Sequence, residues 1–258
     1  MIDSHCHLYL CKEPIEEILS RCEQHGLSDL IQVATDSENA IWGKELANKH
    51  SKGVSIHPTA GLYPSRAEGP WEEQLELLSS ELNSGAYVAV GEMGIDLYHD
   101  KSYLERQLAM FHAQVPLALK NDLPMILHIR NSYHEVRSAL SDYEGEKAMR
   151  GVWHCFEGKA EEAVDFVELG WMISFSGLLT YKKRDDLREV AREVPLKNLM
   201  IETDSPYLSP VPLRHEKNEP WKVSYVLECL ADVKEMAPSE LEKVLNENTR
   251  RFFGLEKN

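Results

Sequence analysis

Met1-Ile2-Asp3-Ser4-His5-Cys6-His7 opens the chain as a short strand-like run that ends in two imidazoles. Successive strand side chains point to opposite faces, so His5 and His7 share one face while Cys6 turns away. Two imidazoles side by side chelate one divalent ion. Asp3, one step deeper on that face, is placed to orient a histidine by accepting its other ring proton. A single His-x-His is as readily a polar strand end, and recurrence of the pattern decides between the readings. Glu92 follows Val88-Ala89-Val90-Gly91, His128 follows Met125-Ile126-Leu127, His154 follows Gly151-Val152-Trp153, and Asp204 follows Leu199-Met200-Ile201-Glu202-Thr203. Each metal-capable side chain stands where an apolar run gives way to a loop.

Working outward from these runs, eight short strands are expected: 2–7, 30–35, 54–62, 87–92, 125–129, 151–155, 171–175 and 199–203. Amphipathic stretches separate them at 14–25, 72–82, 103–121, 159–169, 185–194 and 223–236, with a final helix over 239–253. In the stretch 103–121, Leu104, Leu108, Phe111, Val115 and Leu119 line one face, and Pro116 is expected to kink it. Eight strands with intervening helices imply a parallel sheet closed by helices outside, an α/β fold of the (β/α)8 TIM-barrel type. Catalytic groups of such barrels sit at the carboxyl ends of several strands, which is where the six candidates fall. An open doubly wound sheet fits less well, because no Gly-x-Gly-x-x-Gly follows an early strand. No repeat or linker divides residues 1–258, so a single domain is expected.

The chain carries 28 basic and 43 acidic residues, a formal charge of −15. Generic binding to duplex nucleic acid through a broad positive surface is therefore disfavoured, and any phosphate recognition must be local. Bound divalent cations supply such locality. Five cysteines without a Cys-x-x-Cys pair, and no leader-like start, point to a reduced cytoplasmic protein with neither membrane segment nor obligate protein partner. Cys6 and Cys155 are read as packing thiols that face away from the ions.

An unpaired Glu92 at the end of a buried run would cost several kcal/mol, so it needs a cation. Taken singly, His128 and His154 resemble core histidines; taken with Glu92 and Asp204 they form a nitrogen and oxygen donor set suited to zinc, manganese, nickel or iron, with magnesium at a more oxygen-rich position. Six donors exceed one tetrahedral ion. Two ions sharing a carboxylate fit better, with Glu92 as the bridge and Asp204 both ligating and accepting a proton from attacking water.

Five ordered blocks carry a family resemblance: His5-Cys6-His7, Gly91-Glu92-Met93-Gly94-Ile95-Asp96, Leu127-His128-Ile129-Arg130, His154-Cys155-Phe156-Glu157-Gly158, and Ile201 through Leu208. Together they resemble TatD-type metal-dependent deoxyribonucleases of the amidohydrolase-like superfamily, over nearly the whole chain. The resemblance implies a barrel hydrolase that cleaves DNA phosphodiesters by metal-activated water, in some members as a 3′ to 5′ exonuclease, with single strands or ends as substrate. It further implies that His5, His7, Glu92 and Asp204 hold one ion, that Glu92, His128 and His154 hold a second, and that Glu202 assists a third. Arg130 and Arg214 are the phosphate contacts to expect, because guanidinium engages two phosphate oxygens at once.

Two departures bear on substrate contacts. Tyr63 stands where family members carry a histidine, and His57 is offset from that place. The later loop reads Pro212-Leu213-Arg214-His215-Glu216-Lys217 and lacks the usual histidine and lysine positions. Two other classes therefore remain: a related barrel hydrolase acting on an amide, lactone or other phosphoester, and a catalytically silent metal-binding protein.

Overall fold

The computed structural model describes residues 1–50, 53–98, 100–146 and 149–255. Eight parallel strands follow one another in chain order: β1 Ile2–Cys6, β2 Asp29–Gln32, β3 Ser55–Pro58, β4 Val90–Asp96, β5 Met125–Arg130, β6 Gly151–Trp153, β7 Met172–Phe175 and β8 Leu199–Ile201. They form a run of β1 to β3 and a run of β4 to β8. Bridges between Ala60 and Val90 and between Cys6 and Ser205 join these runs at both seams. The first seam is held by Gly91 N donating to Ala60 O at 3.0 Å, the second by His7 N donating to Ser205 O at 2.8 Å. The result is a TIM barrel.

Helices alternate with the strands: α1 Ile15–Gln24, α2 Ser37–Lys49, α3 Glu72–Leu82, α4 Leu104–Lys120, α5 Tyr133–Ser141, α6 Ala160–Glu168, α7 Asp185–Glu193, α8 Val223–Lys234 and α9 Pro238–Phe253. Two of them, α2 and α5, are not among the stretches expected from the sequence. Helix α2 carries Gly43 on its buried side, where a Cβ would lie 3.1 Å from the Gln32 side chain, and it begins at Asp36, whose carboxylate accepts Asn39 N at 2.8 Å. The short α5 buries only Val136, Ala139 and Leu140.

Several details differ from expectation. Strand β3 stops at Pro58, and β4 starts later and runs on to Asp96, so Glu92 lies inside a strand instead of at its end. Helix α4 continues through Pro116 without a break. Pro116 cannot donate to His112 O, four residues back, and that carbonyl instead accepts the Tyr143 hydroxyl at 3.2 Å.

Inside the barrel the alternation of strands builds layers. Ile31, Ala89, Ile126, Val152, Met172 and Met200 form an apolar cluster with Phe252 and Phe253 from the end of α9. Two residues further along, the same faces present His128, His154, Ser174 and Glu202. The larger core lies between strands and helices. Among the described residues no helix is long and apolar enough to cross a membrane.

Asp29, at the start of β2 and fully buried, pairs with His57 Nε2 of β3 at 2.8 Å and with Arg250 of α9. His57 therefore serves this pairing and not the rim of the barrel. Burial alone would raise the Asp29 carboxyl, but hydrogen bonds from His57 and Ser28 and the charge of Arg250 outweigh it and hold the carboxyl below its ordinary value. A depressed carboxyl stabilises the fold above the unfolded-state value, and that contribution fades as pH falls through the lower folded-state value. Asp29→Asn is expected to cost on the order of 3 kcal/mol at pH 7, with the deficit narrowing below about pH 4. Urea unfolding of both proteins across that range checks this, and equal stability at pH 7 rejects it.

Candidate metal centre

The polar layer above the apolar one gathers the six predicted side chains. Both strands that present them early carry an irregular register: β1 against β2 between Asp3 and Cys6, and β4 against β5 between Val90 and Met93. Such bulges re-aim side chains next to active sites, and here they flank His5 and Glu92. Gly91 lies within the second irregularity, where at φ +150° a Cβ would lie 2.7 Å from Ile126 Cβ, and Gly94 lets β4 pass close to β5, since at φ +148° a Cβ there would lie 2.0 Å from His128 O. Asp204 follows β8 in the left-handed region, φ +56°, with its N–H donated to His5 O at 2.9 Å.

Glu92 lies at the centre and is 2% exposed. On one side, Glu92 Oε2 is 3.6 Å from both His5 Nε2 and His7 Nε2; these nitrogens are 3.2 Å apart, and Asp204 Oδ1 lies 3.7 and 3.4 Å from them. On the other, Glu92 Oε1 is 2.8 Å from His128 Nδ1 and 2.7 Å from His154 Nε2, which stand 3.4 Å from each other. An ion with donor distances of about 2.0–2.1 Å separates tetrahedral donors by roughly 3.3 Å, and the first set has that spacing. The second set is tighter on its carboxylate edges. His5, Glu92 and His154, and likewise His5, His7 and Asp204, bring their donor atoms within 4.8 Å of one another.

The remaining ring nitrogens are fixed from behind. His7 Nδ1 lies 2.9 Å from Val33 O, His128 Nε2 3.0 Å from Asp96 Oδ2, and His154 Nδ1 3.2 Å from Glu202 Oε1. Partners of this kind set the tautomer and ring orientation of metal-binding histidines. Buried and without a hydrogen-bond partner among the described residues are His5 Nδ1 and Glu202 Oε2. Burial would raise the Glu92 carboxyl, yet the charge of His154 and hydrogen bonds from His128, His154 and His5 hold it well below the ordinary range. Asp204 is likewise lowered against its burial, by the His7 hydrogen bond and the charges of His5 and His7. His5 alone among the four imidazoles moves down, through burial and the proximity of His154. A buried set of acids and imidazoles so arranged demands cations, whether protons or metal ions.

A cavity of about 460 Å³ opens above the set, lined by His7, Glu92, His128, His154 and Asp204 together with Tyr63, Arg130 and Tyr207. Tyr63 takes the predicted place: its hydroxyl donates to Asp96 Oδ2 at 3.3 Å and stands 3.4 Å from His128 Nε2. Arg130 is held 3.8 Å over the Tyr98 ring. Arg214 does not join them; it stacks 4.1 Å over Tyr181 and lines a separate cavity, because the loop after β8 carries it outward. Asp3 is buried beneath the set, but it accepts Thr203 N at 2.9 Å and His5 N at 3.3 Å and not an imidazole proton. Glu202, on the interior face, performs the orienting task expected of Asp3. Cys6 does turn away, toward Ile31 O. Cys155 does not: β6 ends at Trp153, so alternation lapses, and at φ +45° Cys155 lines the cavity while its Sγ lies 3.2 Å from Ser176 Oγ. Burial and the charges of Asp204 and Glu202 push its thiol well up, which keeps it protonated.

Two residues at this site were not singled out from the sequence. Asp96 had a signal, since 92, 94 and 96 alternate onto one face of β4 once the strand is extended. Tyr207, 54% exposed, has none beyond its place after Asp204-Ser205-Pro206.

The family model described as TatD related DNase matches residues 2–254. An uncharacterized metal-dependent hydrolase of Bacillus subtilis, YabD, is 33% identical over 255 residues, covering 98% of each chain. YcfH of Escherichia coli K12, of the same description, is 32% identical, covering 99% of this chain and 96% of its own. The crystal structure of YjjV, a TatD homologue from E. coli K12, superposes with a TM-score of 0.92 at 30% identity, covering 99% of this chain and 98% of that one.

Metal dependence gives Asp96 a testable role through His128. Asp96→Asn keeps the side chain's size and removes its charge, and we expect it to lower hydrolytic turnover about 10- to 100-fold with an unchanged circular dichroism spectrum; turnover equal to the parent's rejects the role. Common sequence over nearly the full length, on a common barrel, makes this chain a member of the TatD related DNase family and a metal-dependent hydrolase.

Proposed function

We propose that the chain hydrolyses phosphodiester bonds of DNA, in single strands or at strand ends, in the 460 Å³ cavity. The observation that carries this reading is the company the donor set keeps: a guanidinium, a phenol donor and an exposed aromatic ring on the walls of one cavity, in a chain of charge −15. In that setting a single local anion site suits a phosphate, and flat rings beside it suit bases.

His5, His7, Glu92 and Asp204 would hold one divalent ion, and Glu92, His128 and His154 a second, with Glu92 shared. The mixed nitrogen and oxygen donors suit zinc, manganese, nickel or iron, with magnesium as the oxygen-preferring choice. Glu202 Oε2, buried and unpartnered among the described residues, is the donor left for a third. Bound there, such ions supply charge that acidifies water and neutralises phosphate oxygens.

The chain's own residues do the rest. Asp204 is the donor-set carboxylate with more access to the cavity, its side chain 14% exposed against 3% for Glu92, and it takes the proton that water gives up on attacking phosphorus. Arg130, kept flat by Tyr98, presents its N–H fork to non-bridging oxygens. The Tyr63 phenol stays protonated, because burial and the charges of Glu92 and Asp96 push it up, and so offers a hydrogen bond to the same phosphate. Tyr207 stacks against a base at the mouth.

A metal-replenished preparation is expected to cleave single-stranded DNA, and Asp204→Asn to lower kcat about 10²- to 10⁴-fold, with Glu92→Gln losing bound metal as well. Single- and double-stranded DNA, RNA, carboxylic esters and lactones, assayed side by side, check the specificity. Turnover of lactone or ester without DNA cleavage would replace the substrate class, and no turnover at full metal occupancy would leave a binding protein.

A further inference from the structure

A second cavity, of about 470 Å³, lies beside the first and is lined by Lys182, Lys183, Arg184, Arg214 and His215 over Tyr181, with no acidic residue in its walls. The two share a ridge. Arg184, from the second, pairs with Glu157, from the first, at 3.3 Å, and Tyr181 donates its hydroxyl to Ser209 O at 3.2 Å, one residue past Leu208 of the first cavity's wall. Arg214 and the lysines come from different loops, after β8 and after β7, so their meeting is a product of the fold and not of a local run of charge. Lys182, Lys183 and Arg214 have no ion pair with the described residues; Arg214 is steadied by the Tyr181 ring. Concave walls of one sign concentrate the opposite charge, and a chain of net charge −15 otherwise repels a polyanion.

We propose that this cavity is a backbone-phosphate subsite: Lys182, Lys183 and Arg214 grip a phosphate of the strand beyond the one being cleaved, so that the enzyme selects polynucleotides over dinucleotides. The proposal rests on the reading of the first cavity as a phosphodiesterase centre. It assigns to Arg214 a task remote from the reacting phosphate, which suits its separation from the metal-donor set.

The test is the ratio of kcat/KM for octathymidylate to that for the thymidine dinucleotide, measured on the metal-loaded chain. In Lys182→Ala/Lys183→Ala this ratio falls about tenfold, chiefly through KM for the octamer, and the slope of log affinity against log salt is shallower by about 1.4, or 0.7 for each cation removed. Lys182→Arg/Lys183→Arg retains the parent ratio. A purely structural role would lower both substrates together, so an unchanged ratio overturns the proposal. If the parent cleaves neither substrate, the reading of the first cavity fails on its own. Anisotropy of fluorescein-labelled octathymidylate then decides: binding that weakens in the alanine variant supports the subsite, and equal or absent binding overturns it.

Discussion

Everything at the carboxyl end of this barrel is arranged around one buried carboxylate. Glu92 is almost sealed from water, and each of its oxygens meets two imidazole nitrogens, from β1 and its following loop on one side and from β5 and β6 on the other. A charge so placed is tolerated only with positive partners at close range. The bulge in β4, the absence of a side chain at Gly94 and the left-handed turn at Asp204 bring those partners within reach. The second ring of contacts, from Val33 O, Asp96 and Glu202, then fixes three of the four imidazoles, so the donor set is pre-formed by packing beneath it.

Much of this was legible in the sequence because strand alternation is a rigid rule. All eight strands were found, and the six donors converge as their spacing demanded. What escaped did so for physical reasons. Helix α2 packs a glycine and polar residues inward, so its hydrophobic pattern is faint, and α5 buries only Val136, Ala139 and Leu140. Alternation misled wherever it lapsed: Cys155 lies beyond the end of β6, and its left-handed backbone places the residue in the cavity wall. The same rule, applied from Glu92 as a strand end, hid Asp96; the strand in fact continues four residues further. Arg214 was placed by family likeness, and the loop after β8 sets it in a cavity apart from the donor set. Glu202 and not Asp3 orients an imidazole, because which of two interior carboxylates meets one depends on depth, which a linear pattern does not encode.

The charge distribution links fold to function. A strongly acidic chain cannot attract a polyanion over its whole surface, so the proposed DNA substrate would be held at small places where the sign reverses. The donor set, when it holds cations, is one such place, and the lysine and arginine cavity across the Glu157 and Arg184 ridge is another. The aromatic rings of Tyr98 and Tyr181 lie against Arg130 and Arg214, contacts that bring no negative charge to either guanidinium.

The central claim is that Glu92 joins two cation sites. Anomalous diffraction from crystals equilibrated with zinc or manganese tests it directly. The account predicts two peaks roughly 3.5–4 Å apart, one facing His5, His7 and Asp204 and the other facing His128 and His154, with Glu92 between them. A loaded crystal with no anomalous peak beside Glu92, or with density only at surface carboxylates, would contradict it.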